Sequence, residues 1–473
     1  MTLNQLTIKE AQSGLKKKQF SSMELTEACL EQIEKDDPKI NAFITLDKKA
    51  ALAQAETVDA EIKQNAAVFQ TKPLLGIPLG IKDLFSTRGI KTTAGSNVLT
   101  DYYPVYDATV VRKLKAAGGI ILGKTNLDAW AHGSSGENSD FGPTKNPWNL
   151  DYVPGGSSSG SAAALAAEMC LASTGTDTGG SIRLPASFCG VVGLKPTYGR
   201  VSRYGIIAMA SSLDSIGHFA KSVADVALIL GVTAGQDPFD STTPNIKVPD
   251  YLQGLTKGVK GLKIGLPKEY FQQGLDPEVK KVVLKAVEQF ERLGAKTITV
   301  SLPHSAYALA VYYIIQPAEV SSNLARYDGI RFGFPRDRFS EEAKRRIILG
   351  TFTLSSGYYE AYYLKAMQVR TLIQEDFVQA FKKVDVLMAP VSPTLPFKLG
   401  EKIKDPLQMY LSDIYTVTAN LAGLPGLSLP AGLVKGLPVG IQLLGPQFRE
   451  DLLFRAGDAY EKAVNWPRKK PKK

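Results

Sequence analysis

Histidine, cysteine and tryptophan each occur only three times in 473 residues. The cysteines, Cys29, Cys170 and Cys189, are odd in number, far apart and without C-x-x-C spacing, which excludes a disulfide framework and a structural zinc site. The histidines, His132, His218 and His304, leave little material for a histidine metal site or a Ser-His-Asp relay. His218 and His304 read as structural; His132, in WAHGSS, is kept as a pocket candidate. No stretch approaches the roughly 18 apolar residues of a membrane span. The amino terminus, MTLNQLTIKEAQSGLKKKQF, has no apolar run of the kind a secretory signal needs. These absences point to a cytoplasmic protein in a reducing compartment, without membrane contact.

What is present is ordinary globular material: 44% hydrophobic and 22% charged residues, with no low-complexity tract. The formal charge is +10, and half of that excess sits in the tail PRKKPKK, residues 467–473, which reads as a solvated, disordered end. Residues 1 to about 65 read as an outer layer of amphipathic helices, with Ser22 as a cap before ELTEACLEQIEK. From residue 73 short apolar strands alternate with helices. Asp107 is expected to cap a helix striped by Val110, Val111, Leu114 and Ala117, which Gly118 stops before the strand IIL. Asp276-Pro277 opens a similar unit, which ends at Gly294 before the strand TITV. Further strands are expected at LKIGLP, VDVLMAP, GLSLPAG and GIQLLG. The alternation predicts an α/β fold, a mixed sheet covered by helices on both faces. One domain, 1–473, is favoured over a string of modules, with 236–390 open to forming a helical lobe.

Two motif matches fail on context. GGIILGKT, residues 118–125, satisfies G-x-x-x-x-G-K-[ST], but the positions between its glycines are themselves the buried strand rather than an exposed phosphate loop, so no nucleotide site is expected there. GSSSG, residues 156–160, satisfies G-x-S-x-G around Ser158, but no histidine context supplies the base that such a nucleophile needs. The stretch from Pro154 to Arg203 is different. Its density of small residues exceeds what a helix or strand core needs, and it carries Ser157 after Gly155-Gly156 and Ser181 after Gly179-Gly180, 24 residues apart. Lys82 lies 75 residues upstream of Ser157 in the apolar context LGIKDLF.

GGSSSGSAAALAA followed by TGTDTGGSIRLPAS, with Lys82 in register, resembles the defining block of the amidase signature family. The resemblance implies a single α/β domain around a large mixed sheet and a Ser-Ser-Lys triad. Ser181 would be the nucleophile, Ser157 the bridging serine in a cis peptide arrangement, and Lys82 the base. The chemistry is self-consistent: a lysine near its ordinary pKa of about 10.4 is protonated at neutral pH, but burial disfavours its charge, and a neutral amine can draw a proton through one serine from another. Backbone N–H groups of Thr178, Gly179, Gly180 and Ser181 would receive the oxyanion. Asp177 and Arg183 read as scaffold, and Ser158 and Ser159 as loop hydrogen-bonders.

Within the family the resemblance is to the glutamine-hydrolysing subunits of tRNA-dependent amidotransferases. It rests on KPTYGRVSRYGIIAMASSLDSIG, NLARYDGIRFG, EEAKRRIILGTFTLSSGYYEAYYLKAMQVRTLI and ANLAGLPGLSLPAG followed by GLPVGIQLLG. By that resemblance Arg346 and Asp413 would hold the α-carboxylate and α-ammonium of glutamine, and Tyr312 would line the pocket. No cofactor is implied in this chain. The partners implied are the amidotransferase's B and C subunits, in a heterotrimer: the B protein would use ATP and magnesium on misacylated Glu-tRNA(Gln) or Asp-tRNA(Asn), and the small C protein would wrap this chain. The alternatives are a free-standing amidase acting on other small amides, and a catalytically silent scaffold or nucleotide-binding protein. Two departures from the family pattern bear on specificity. Asp128-Ala129-Trp130-Ala131-His132-Gly133 stands where Asp-Glu-Phe-Ala-Met-Gly is usual, and the connection from Gly333 to Lys344 is shorter.

Overall fold

Eleven strands among the described residues form one mixed sheet in the computed structural model, which describes every residue except 1, 66, 273, 332, 404 and 467–473. The basic tail therefore lies outside the described residues. The strands are β1 (Phe43–Leu46), β2 (Pro78–Lys82), β3 (Ile120–Thr125), β4 (Ala172–Asp177), β5 (Val192–Lys195), β6 (Ser215–Ala220), β7 (Lys263–Pro267), β8 (Lys296–Val300), β9 (Val386–Pro390), β10 (Gly426–Val434) and β11 (Leu437–Leu444). Their order across the sheet is β1-β3-β2-β4-β6-β5-β10-β11-β9-β7-β8. β2 runs parallel to β3 and β4, and β7 parallel to β8 and β9, while the pairings between these two groups are antiparallel. Every residue of β2, β3, β4, β5, β6, β9 and β11 is buried. Because successive side chains point to opposite faces, this means that both faces of the sheet are covered.

Local rules account for several of the element ends. Asp276 caps the helix Pro277–Arg292 by accepting from the N–H groups of Glu278 and Val279. Gly118 and Gly294 adopt φ +88° and +91° after their helices. Four expectations are corrected. The cap at the second helix is Ser21, not Ser22: Ser21 is extended and exchanges side-chain and backbone bonds with Glu24, three residues on, so Ser22 is already helical in Ser22–Ile40. Asp107 does not cap the helix Thr109–Ala116; Ala108 stands at that position, and the Asp107 carboxylate serves the Arg88 N–H and Lys115 Nζ instead. The helical layer of the first 65 residues is interrupted by β1, which pairs antiparallel with β3 at one edge of the sheet. Residues 236–390 are not a separate helical lobe, because they contribute β7, β8 and β9 to the same sheet.

The small-residue block follows from close packing. The helix Ser159–Ala166 is buried almost throughout and lies so near the segment before β1 that a Cβ on Gly160 would stand 2.3 Å from the carbonyl oxygen of Ala42. Lys124, the lysine of the failed phosphate-loop match, is fully buried in β3; its Nζ donates to Phe85 O and Thr92 Oγ1 at 2.7 Å and pairs with Asp83 at 3.4 Å.

Candidate active site

β2 and β4 are neighbours in the sheet, and their carboxyl ends bring Lys82 and Thr176 side by side. The turn before the helix Ser159–Ala166 delivers Ser157 and Ser158 to the same point, through a cis peptide bond between Gly156 and Ser157. Lys82 Nζ then stands 2.9 Å from Ser157 Oγ, 2.9 Å from Ser158 Oγ and 2.8 Å from Thr176 Oγ1. Its side chain is wholly buried. Among the described residues its hydrogen-bond partners are these three hydroxyls, and no carboxylate is within ion-pair distance. Burial without a counter-ion pulls its pKa down to about 7, against the weaker opposite pull of Asp128, Asp177 and Asp214.

Ser181 sits in the turn between β4 and the helix Arg183–Cys189, 8% exposed, on the wall of a cavity of about 250 Å³. Its carbonyl accepts from the Ser158 N–H at 3.2 Å; among the described residues no hydrogen bond joins its Oγ to that of Ser157. Of the four N–H groups expected to face an oxyanion, that of Gly180 is spent on Asp177 Oδ1 at 2.9 Å. Those of Thr178, Gly179 and Ser181 have no hydrogen-bond partner among the described residues. Asp177 also accepts from the backbone N–H groups of Ile182 and Arg183. Burial alone would raise its pKa, but the paired Arg183 guanidinium and the Asn420 amide hold the carboxylate down at about 2. Arg183 reaches on to Gln442 Oε1, Asn420 Oδ1 and Thr416 O, which ties the nucleophile turn to the carboxy-terminal strands.

The far wall of the cavity is charged and aromatic. Tyr312 is buried there, its hydroxyl 2.7 Å from where a Cβ on Gly179 would be. The Arg346 guanidinium lies over the rings of Tyr313 and Tyr410, 4.6 and 4.5 Å from their centroids. Its Nε donates to Glu342 Oε1 at 2.7 Å and its Nη1 to Gln316 Oε1 at 2.9 Å. Among the described residues Nη2 has no hydrogen-bond acceptor. Asp413 accepts from Ser134 Oγ at 2.8 Å and from Tyr313 Oη at 2.9 Å, and burial raises its pKa to about 6 despite those bonds and Arg346. Arg346 and Asp413 are thus both buried members of one wall rather than surface ions.

The expected change of wall at 128–133 is smaller than the sequence implies. Ala131, Gly133 and Ser134 line the cavity, whereas Trp130 packs on Tyr327 and Phe339 and His132 is buried behind the wall with both ring nitrogens unpartnered. His132 is therefore not a lining residue; burial, with Arg346 nearby, pushes its pKa far down and keeps the ring neutral. His218 bonds Thr233 inside the core, and His304 bonds Asp376 away from the site. Sequence reasoning did not find Tyr313, Glu342 and Tyr410 as site residues, nor Ser158 and Thr176 as direct partners of Lys82. The repeated Tyr312-Tyr313 and the hydroxyl run Ser157-Ser158-Ser159 were the available signals. Among the described residues no cluster of three or more His, Cys, Asp or Glu side chains is placed to hold a metal ion, and no helix is long and apolar enough to cross a membrane.

Comparison with known proteins agrees with this geometry. The sequence profile of the Amidase family matches residues 24–454. The A subunit of glutamyl-tRNA(Gln) amidotransferase from Geobacter metallireducens is 55% identical, with 98% of this chain and 99% of that protein aligned. The protein of the same name from Desulfatibacillum aliphaticivorans is 52% identical over the full length of both. Among solved structures, the A subunit of glutamyl-tRNA(Gln) amidotransferase from Thermotoga maritima superposes with a TM-score of 0.83 at 46% identity, covering 97% of this chain and 95% of that one. A bacterial aryl acylamidase of the amidase signature family gives 0.87 at 27% identity, covering 98% and 96%. The folded sheet, the Lys82-Ser157-Ser181 corner and these likenesses agree: the chain belongs to the amidase signature family.

Proposed function

We propose that the chain is the glutamine-hydrolysing subunit of a tRNA-dependent amidotransferase, releasing ammonia for the conversion of Glu-tRNA(Gln) to Gln-tRNA(Gln). Identity of 52 to 55% over essentially the whole chain to proteins named for that role supports the reading. The observation that carries it is the cavity itself: one end is lined by Ser181, and the other offers a free guanidinium edge on Arg346 and a carboxylate on Asp413. A free amino acid bearing an α-carboxylate and an α-ammonium needs one fixed cation and one fixed anion. Tyr312 fills the side between them.

In this reading Lys82 is the base. A neutral amine has two N–H donors and one lone pair, so of its three hydroxyl neighbours one donates to it. Ser158 spends its proton on the Thr176 carbonyl at 3.2 Å, which leaves Ser157 and Thr176 as the candidate donors to the amine. Ser157 is the one whose lost proton is replaced from Ser181. Ser181 Oγ attacks the side-chain amide carbon, its proton passing to Ser157 as the proton of Ser157 passes to Lys82. The N–H groups of Thr178, Gly179 and Ser181 receive the oxyanion. The proton held on Lys82 returns through Ser157 to the leaving nitrogen, ammonia departs, and water releases glutamate from the acyl-enzyme by the same relay. The amidotransferase's B and C subunits are the partners of the reading, in the cytoplasm, with ATP and magnesium used by the B protein on the tRNA-bound glutamate. Glutaminase activity of the complex, abolished in Ser181→Ala while circular dichroism stays unchanged, tests the assignment. A complex that ignores glutamine and turns over aryl or alkyl amides leaves only the free-standing amidase.

A further inference from the structure

Two consecutive glycines, Gly179 and Gly180, separate Thr178 from Ser181, and Gly180 adopts φ +139°, which side-chain-bearing residues rarely adopt. A glycine pair can orient the peptide between its members in more than one way, so the N–H groups on either side are aimed only if that peptide is fixed. Here both of its ends are held. The Gly180 N–H donates to Asp177 Oδ1 at 2.9 Å, and the Gly179 carbonyl accepts from Thr416 Oγ1 at 2.5 Å, the nearer of that hydroxyl's two acceptors, the other being the Asp413 carbonyl at 3.0 Å. The contact is tight: a Cβ on Gly180 would stand 2.4 Å from Thr416 Oγ1. Thr416 is fully buried and fixed in turn, its carbonyl accepting from Arg183 Nη2 at 2.9 Å. It also belongs to the same turn as Asp413, whose carbonyl accepts from the Thr416 N–H at 2.9 Å.

We propose that Thr416 is a positioning residue for the reaction, its hydroxyl pinning the Gly179–Gly180 peptide so that the unpartnered N–H groups of Thr178, Gly179 and Ser181 stay aimed into the cavity. The shared turn makes it the mechanical link between the carboxylate that seats the substrate ammonium and the donors that meet the oxyanion. This deepens the reading of Ser181 as nucleophile and rests on it. Thr416 does not touch substrate; it acts through the glycine peptide.

Two variants separate the hydroxyl from the packing. Thr416→Val keeps the branched shape and loses the hydroxyl, whereas Thr416→Ser keeps the hydroxyl and loses the methyl. In the complex with the B and C subunits, Thr416→Val is expected to lower kcat for glutamine by about 10- to 100-fold, the range of a small misplacement of reacting groups. KM should stay within about twofold, because the Thr416 N–H bond to the Asp413 carbonyl survives in the variant and keeps the turn that carries the Asp413 carboxylate. Thr416→Ser should keep most of kcat. If Thr416→Val lowers the thermal midpoint so far that the assay is compromised, Thr416→Ala replaces it with the same kcat loss expected. A hydroxyl-free variant that folds and keeps full kcat overturns the proposal, as does a Thr416→Ser enzyme as slow as Thr416→Val. Ser181→Ala in the same assay keeps the two claims apart. Turnover retained there sinks the nucleophile reading, whereas a dead Ser181→Ala beside a fully active Thr416→Val sinks only the role of Thr416.

Discussion

The two ends of the site solve opposite electrostatic problems, both with buried groups. At the Lys82 end a cation is surrounded by three hydroxyls and no paired carboxylate, so its charge is poorly supported and its pKa falls to about 7. At the Arg346 end a cation lies between two tyrosine rings with Glu342 hydrogen-bonded to it, and its charge is permanent. Burial pulls the Lys82 amine down, whereas the intrinsic basicity of a guanidinium, with Glu342 beside it, keeps Arg346 charged at a similar depth. One end can trade protons and the other can only hold charge, which is the division of labour that hydrolysing a zwitterionic amide requires.

The comparison breaks most visibly at the reacting end. Ser181→Ala and Lys82→Ala should each lower kcat by at least about 10⁴-fold, since members of one relay act as a unit, with Ser157→Ala severe but less so. Lys82→Arg keeps a cation of similar length and should be equally dead, because a guanidinium cannot be a base. A working Lys82→Arg enzyme would refute a neutral lysine in the mechanism. At the holding end, Arg346→Ala and Asp413→Ala should each lower kcat/KM for glutamine by about 10²- to 10³-fold, the loss expected when a substrate charge forfeits its buried partner. The same variants should hydrolyse a small neutral amide as well as the parent does. A loss shared equally by both substrates would mean that the two ends are not separable.

The pH profile sharpens the same contrast. The active form of Lys82 is neutral, so kcat should rise as pH passes upward through about 7. The form of Asp413 that holds an ammonium is ionised, so kcat/KM for glutamine should lose a further factor as pH falls through about 6, and Asp413→Asn should remove that lower limb. A neutral amide should show the upper limb alone. The smallest expected effect is none: titrating ATP and magnesium into the isolated chain should give no binding heat. Lys124 Nζ is already committed to Phe85, Thr92 and Asp83, so it is not free for a phosphate.

The reacting end was legible because its parts are short, local and chemically odd: a lysine in an apolar run, and two Gly-Gly-Ser turns flanking a helix too small-residued to be ordinary core. The dismissal of the phosphate loop rested on the same kind of local reading, and the burial of residues 120–125 agrees with it. The holding end was not legible from the residues themselves. Ser134 meets Asp413 across 279 positions and Arg346 meets Gln316 across 30, and no local pattern announces such pairings. Arg346 and Asp413 were reached only by resemblance, and Glu342, which occupies part of the Arg346 guanidinium, was not reached at all. In the fold, strands of ordinary apolar character such as β7 and β9 were read directly. β1 was lost inside a helical stretch, and β6, SIGHFA, has too few large apolar residues to stand out. Ser21 and Ser22 are adjacent serines, and only the spacing to Glu24 separates the cap from the first turn.

The order of strands in the sheet has a consequence for how the chain is made. β10 and β11 lie between β5 and β9, so strands late in the described sequence close the middle of the sheet rather than an edge. The nucleophile turn waits for them as well, because Arg183 is completed by Gln442 and Asn420. Such non-local closure is slow and comes late. A nascent chain that has exposed Lys82, Ser157 and Ser181 but not yet residue 442 holds all three groups of the relay without the frame that aligns them. The topology thus couples alignment of the relay to closure of the middle of the sheet, so a chain cut before residue 442 is expected to lack amide hydrolysis.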